Sequence, residues 1–196
     1  MARGAQEALI DVRGIIFDQG GRSCEFAIIN KHGEIKHTAS LPLGTFSISD
    51  QEHPQEYVND QLATLPKAYK KLVYTNLYAI GGTPKNLMDS LRIEQEANTG
   101  LHGYTASISD TMQHIQKIEH ASFDDLTALY NIKSVRAPLI PACTELMKAM
   151  HEAFASEHII VSTAGVRDGL IAEQQDKFAS DGENDFETKP SEIIYG

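Results

Sequence analysis

Asp18-Gln19-Gly20-Gly21-Arg22-Ser23-Cys24-Glu25 decides how this chain is read. An acid closes the apolar run Gly14-Ile15-Ile16-Phe17, a glycine pair turns the chain, and a second acid lies on the next run, Ser23 to Asn30. Glycines at such a turn let the backbone approach an anion and aim N–H groups at it. Ser23 adds a hydroxyl donor. Asp18 and Glu25 offer hard oxygens to a cation such as Mg2+, or Glu25 orients or deprotonates a water. The same octapeptide also suits an ordinary hairpin, so taken alone it leaves both readings open.

Working outward, Lys31-His32-Gly33-Glu34 makes a tight turn into a third run, Ile35 to Leu43. Three runs joined by short turns predict an antiparallel meander. Ser49 and Asp50 are read as capping a helix over 51–64, and Leu72 to Ile80 as a fourth strand. Gly81-Gly82-Thr83 follows it, with Pro84 suited to the first turn of a helix running through Leu91. A helix N-terminus carries partial positive charge and free N–H groups, so this corner is a second candidate anion seat. A simple capped turn is its plain alternative. Both glycine corners close strands of the same sheet and are expected to face one crevice.

Residues 92–110 are polar and read as a loop or lid-like insertion, followed by helices from Asp110 to His120 and from Ser122 to Tyr130. Arg136 to Ala155 is the strongest helix. Its Leu139, Ile140, Cys143, Leu146, Met147, Met150 and Phe154 recur at spacings of three and four, which marks a core face rather than a binding groove. His158 to Ser162 is a fifth strand, and Gly165 precedes a helix to Gln174. The expected organisation is a remnant of an interdomain segment at 1–13, a domain at 14–175 with a helical insertion at about 92–134, and an acidic, flexible tail at 176–196.

At a net charge of −10, the 196-residue chain lacks the basic surplus that drives binding to nucleic acid or to anionic membranes, so neither is an expected partner. A local pocket still attracts phosphate, because screening acts over about 8 Å. Two cysteines, Cys24 and Cys143, make neither a disulfide framework nor a four-thiolate zinc site, and a reducing, cytoplasmic setting is expected. No stretch resembles a membrane span or a signal peptide. The eight histidines lack the paired spacing of a zinc hydrolase.

Taken together the motifs resemble the exopolyphosphatase and guanosine pentaphosphate phosphohydrolase family. Its Asp-x-Gly-Gly-Gly-Ser-Thr-Glu loop stands here as DQGGRSCE, with Arg22 for the third glycine and Cys24 for the threonine. Its Ser-Leu-Pro-x-Gly segment is Ser40 to Gly44, its Gly-Gly-Thr turn is 81–83, and its closing Val-Ser-x-x-Gly-x-Arg-x-Gly is Val161 to Gly169. Gly4-Ala5-Gln6-Glu7-Ala8 is similar to the Gly-x-Glu-Glu-Ala stretch before the loop. The strand order matches the fold that the resemblance implies. That fold is α/β and ribonuclease-H-like, a mixed sheet of three antiparallel strands extended by parallel ones, with helices on both faces.

The resemblance implies the second domain of a phosphoanhydride hydrolase, acting on terminal phosphates of polyphosphate or guanosine polyphosphate with Mg2+. Asp18 and Glu25 would hold the metal, and Glu25 and Glu7 would be catalytic. Gly20, Gly21, Arg22, Ser23, Gly81, Gly82 and Thr83 would bind phosphate. The family's substrate cleft lies between two domains, so an N-terminal partner domain or a second copy is the expected complement, and this chain alone is expected to be weak or inactive. Two other readings stay open: a non-catalytic phosphate- or nucleotide-binding module, and one half of a sugar or acetate kinase.

Overall fold

The computed structural model describes residues 2–9, 11–71, 76–165, 168–171 and 174–175. Helix α1 spans Ala2–Ala8 and leads into strands β1 (Gly14–Gln19), β2 (Cys24–Ile29) and β3 (Ile35–Leu41). Helices α2 (Thr45–Ser49), α3 (Pro54–Ala63) and α4 (Lys67–Lys71) come next, followed by strand β4 (Asn76–Ile80) and helix α5 (Gly82–Glu94). Strand β5 (Thr105–Ser107), helices α6 (Ile108–Ile118) and α7 (Phe123–Ala128), a 3-10 turn at Ala137–Leu139, helix α8 (Ile140–Phe154) and strand β6 (His158–Val161) complete the order.

The described strands form one sheet in the order β3-β2-β1-β4-β6-β5. β1 pairs antiparallel with β2 and parallel with β4, β2 pairs antiparallel with β3, and β4 pairs parallel with β6. This is the expected ribonuclease-H-like mixed sheet. β1 and β4 lie in its middle and are buried on both faces, which is why they read as nearly unbroken apolar runs. Along β1 the side chains alternate: Ile15 and Phe17 join the main core under α3, α5 and α8, while Ile16 joins a smaller core with Ala2, Ala5, Ala27, Ile29, Tyr78 and Ile80.

Several elements depart from the sequence reading. Within the segment read as an interdomain remnant, residues Ala2–Ala8 form α1, and Ala2 and Ala5 are small enough for it to lie directly on the sheet. The helix expected over 51–64 begins instead at Pro54, whose missing N–H and preset φ favour the first helical position. Asp50 is the C-cap of α2 rather than the start of that helix. Of the fourth strand, Asn76–Ile80 is extended, and 72–75 lie outside the described residues. The stretch 92–110 is not all loop: α5 runs on to Glu94, and Thr105–Ser107 adds an edge strand antiparallel to β6. Three residues without an apolar run carry no strand signal of their own, and pairing alone extends them. Ser107 and Ser122 cap α6 and α7, each accepting from a backbone N–H three residues on. The expected tail at 176–196 lies outside the described residues.

His114 of α6 is buried beneath α5. Its Nδ1 lies 2.5 Å from a Glu94 carboxylate oxygen and its Nε2 lies 3.0 Å from the Ser90 hydroxyl, while Lys117 also pairs with Glu94. A neutral ring with its proton on Nδ1 satisfies both neighbours, donating to Glu94 and accepting from Ser90. Burial holds the imidazole below its ordinary range, outweighing the opposing pull of Glu94. Lys117 first, and then His114, hold the Glu94 carboxyl low against burial. Both shifts have the same sign for stability: the unfolded chain takes up protons first as pH falls, so the folded state loses ground below about pH 6.5 and further below about 4.5. The urea midpoint is therefore expected to be lower at pH 5 than at pH 7.5. His114→Gln is expected to flatten that difference while lowering the pH 7.5 value.

Candidate functional site

Parallel pairing of Ile15–Asp18 with Leu77–Ile80 ends β1 and β4 at the same edge of the sheet. The turn after β1 and the corner after β4 therefore meet there, and a crevice of about 330 Å3 opens between them. Asp18, Gln19, Gly20 and Gly21 line one side; Gly81, Gly82 and Thr83 line the other. Thr45 and Phe46 of α2, with Arg136 and Leu139 before α8, complete the walls.

The turn after β1 is held from below by α2. Thr45 and Phe46 donate their backbone N–H groups to the carbonyls of Gly20 and Gly21, at 3.0 and 2.8 Å. The Ser47 hydroxyl donates to the Arg22 carbonyl at 2.8 Å, and the Gly20 N–H donates to the Ser23 carbonyl at 2.9 Å. Four carbonyl oxygens that would repel an anion are thus engaged. Gly44 makes this possible, because a Cβ there would collide with the Arg22 backbone nitrogen. Opposite, Gly81 has φ 102°, a conformation that disfavours side chains, and a Cβ on it would stand 2.5 Å from the Gln19 carbonyl oxygen.

The expected phosphate-binding residues divide. Gly20, Gly21, Gly81, Gly82 and Thr83 share the crevice, with the N-terminus of α5 rising from its floor. Arg22 does not face it. Its side chain is exposed, pairs with Asp50 at 2.7 Å and lies over the Phe46 ring, which leaves the guanidinium a surface ion pair. Nor does the Arg22 backbone adopt a left-handed conformation. Ser23 turns its hydroxyl to Glu25, donating to Oε1 at 2.6 Å. Among the described residues, the cationic side chain lining the crevice is Arg136, whose guanidinium lies against Gly82 so closely that a Cβ there would be 2.6 Å from Nη2. Periodicity places Arg136 merely at the start of the long helix, and no local signal marks a residue whose role comes from a contact so distant in the chain.

Asp18 and Glu25 are directly opposed across β1 and β2, so both carboxylates stand on the face covered by α1. Glu25 accepts from Ser23 and, at 3.1 Å, from the Ser40 hydroxyl. It borders a neighbouring cavity of about 520 Å3 beside Ala2 and Arg3 rather than the crevice itself. Burial first, and then the facing Glu25, raise the Asp18 carboxyl above its usual range, with Lys85 pulling against them. A half-buried pair of like charges is relieved by a divalent cation, and one or two carboxylates with phosphate oxygens are the donor set that Mg2+ accepts. The two residues therefore fit a magnesium ion, although the described residues contain no cluster of three or more metal-binding side chains. Glu7 lies in α1, on the same face of the sheet, but its side chain is outside the described residues. Arg167 of the closing motif is also outside them. Cys24 and Cys143 are buried in the main core, where burial pushes both thiols up and away from nucleophilic use.

A model of the Ppx/GppA phosphatase family matches residues 1–178. Among solved structures, an exopolyphosphatase from Cytophaga hutchinsonii is similar at 22% identity and a TM-score of 0.77, over 89% of this chain and 61% of that one. The type II variant of the Aquifex aeolicus Ppx/GppA phosphatase is similar at 19% identity and a TM-score of 0.70, over 87% and 60%. A further Aquifex aeolicus structure from that family aligns at 18% identity and a TM-score of 0.69, over 90% and 62%. At these identities the likeness is one of fold. The chain spans about three fifths of the length of these structures. No curated protein matches it significantly.

Gly44→Ala is expected to lift the Gly20–Arg22 turn off α2, lowering stability by about 1–3 kcal/mol, the usual range for overpacking. Thermal unfolding should show a loss of several degrees, together with weakened phosphate binding. An unchanged melting temperature would remove the α2 contact as the support of the turn.

Proposed function

The chain belongs to the Ppx/GppA phosphatase family, and we propose that it forms one wall of a phosphoanhydride hydrolase. The enzyme releases terminal phosphate from inorganic polyphosphate or guanosine pentaphosphate, with magnesium as cofactor and water as nucleophile. One observation carries this reading: two glycine turns, a helix N-terminus and Arg136 meet at a single crevice beside Asp18. The name of the Cytophaga hutchinsonii relative, an exopolyphosphatase, supports the polyphosphate branch.

Phosphoryl transfer asks a protein chiefly to position the phosphate and to neutralise its spreading charge. Gly20, Gly21, Gly81, Gly82 and Thr83 bind the phosphate, and Arg136 takes the place beside it first expected of Arg22. Ser23 acts through Glu25, holding its carboxylate in place. Asp18 and Glu25 hold magnesium, which when bound supplies further positive charge to the phosphate oxygens. Glu25 also orients the water, and Glu7, placed by resemblance, takes its proton. Charge on a phosphate is best met from both sides, so a partner domain or a second copy completes the site. The two free, buried cysteines support a reducing, cytoplasmic setting.

Phosphate release from polyphosphate by the enzyme reconstituted with a complementing domain, measured with magnesium, tests the reading. Removing one charge-assisted hydrogen bond costs about 1.5–3 kcal/mol, so Arg136→Ala is expected to lower kcat/KM by about 10- to 100-fold. Glu25→Gln is expected to lower it at least as much, and hydrolysis undiminished by that change would take Glu25 out of the chemistry. A second reading, a phosphate-binding module without catalysis, is favoured by the two hydroxyls that engage Glu25 and by its separation from the crevice lining. Calorimetric binding of triphosphate without turnover, persisting after a complementing domain is added, would select the module.

A further inference from the structure

Gln19 stands between the acid of the site and the glycines of its first turn. It is 2% exposed and belongs to the lining of the crevice. Its amide nitrogen donates to the Leu43 carbonyl at 3.2 Å. That bond decides which way the amide is turned, because a flipped amide would set two oxygens against each other with no proton between them. The oxygen is therefore the group left over, and Oε1 is buried without a hydrogen-bond partner among the described residues. A buried acceptor without a donor is costly to keep.

Apart from the Asp18 carboxylate, the charges and dipoles of the lining work in the opposite sense. Glycine N–H groups beyond that of Gly20, which Ser23 engages, act with the α5 N-terminus and Arg136 as donors or positive charges, and they suit anion oxygens that only accept. The Gln19 oxygen is matched instead by a group that brings a proton. We propose that Gln19 is a specificity-determining residue of the crevice, its Oε1 accepting a hydrogen bond from a protonated oxygen of the bound phosphate. This rests on reading the crevice as a phosphate site and adds which phosphate it takes. A phosphate bonded through a single bridging oxygen has a second pKa of about 6 and retains a proton in part near neutrality. A phosphate bridged on both sides has no such proton, and neither has sulfate. A site of donors alone accepts all three, whereas a site that includes one buried acceptor does not.

Inorganic phosphate and sulfate are the probes, each titrated at neutral pH in chloride buffer against the full chain. Amide chemical shifts of Gly20, Gly21 and Gly82 report binding at the crevice. Phosphate is expected to bind at least about tenfold more tightly than sulfate. Gln19→Met, similar in length but without a polar group, is expected to bring the ratio close to one. The wild-type ratio alone serves if the methionine variant does not fold. Equal wild-type affinities, or a ratio unchanged in Gln19→Met, would overturn the role of Gln19 and leave the phosphate crevice standing. Neither anion shifting those glycines would overturn the crevice reading, and this inference with it.

Discussion

The parallel register of β1 on β4, with Asp18 opposite Ile80, is the constraint on which the rest of the molecule depends. Two strands running the same way end at the same rim, so their turns converge although the residues lie far apart in the chain. The register also sets which face each side chain meets. A slip of one residue would carry Asp18 into the main core and Phe17 out of it, exchanging a half-buried carboxylate for an aromatic ring. Burial of Ile15 and Phe17 on one side and Ile16 on the other therefore specifies the geometry of the site as firmly as it stabilises the sheet.

Around that rim the backbone supplies most of the polar groups. The turn after β1 directs its carbonyls to α2 and Ser47, while Gly81 and Gly82 let the second corner approach Gln19 and Arg136. Among the described residues the positive part of the lining is correspondingly small: one guanidinium and one helix N-terminus, in a chain whose net charge is −10. Such a lining offers a local potential within a screening length rather than a broad basic field. On the far side of β1 and β2 the acids Asp18 and Glu25 share the thinner face with α1. The crevice and the acid pair thus occupy two sides of one sheet edge, joined through Asp18.

Much of this was legible in the order of residues. Alternation and turn glycines marked four of the strands closely, and the long stripe from Leu139 to Phe154 marked α8 as core. The two glycine turns were recognisable because backbone approach to an anion demands that residue type. Residues whose place comes from contact were harder to read. Arg22 sits inside the motif yet turns to Asp50, and Arg136 lies outside every motif yet reaches the crevice. β5 has no pattern of its own, and α3 began at its proline rather than at the serine and aspartate that looked like caps.

By itself, then, the sequence determined the order of five of the six described strands, the mixed sheet, the core face of the long helix and the two glycine turns. These follow from local chemistry: side-chain periodicity, β-branched runs and the steric freedom of glycine. Only the tertiary structure decided which cation faces the crevice, that Ser23 serves Glu25, and that the Gln19 amide is buried with its oxygen unpaired. Those outcomes depend on which surfaces meet across tens of residues of chain, and no local pattern encodes a contact that exists only once the sheet has closed its register.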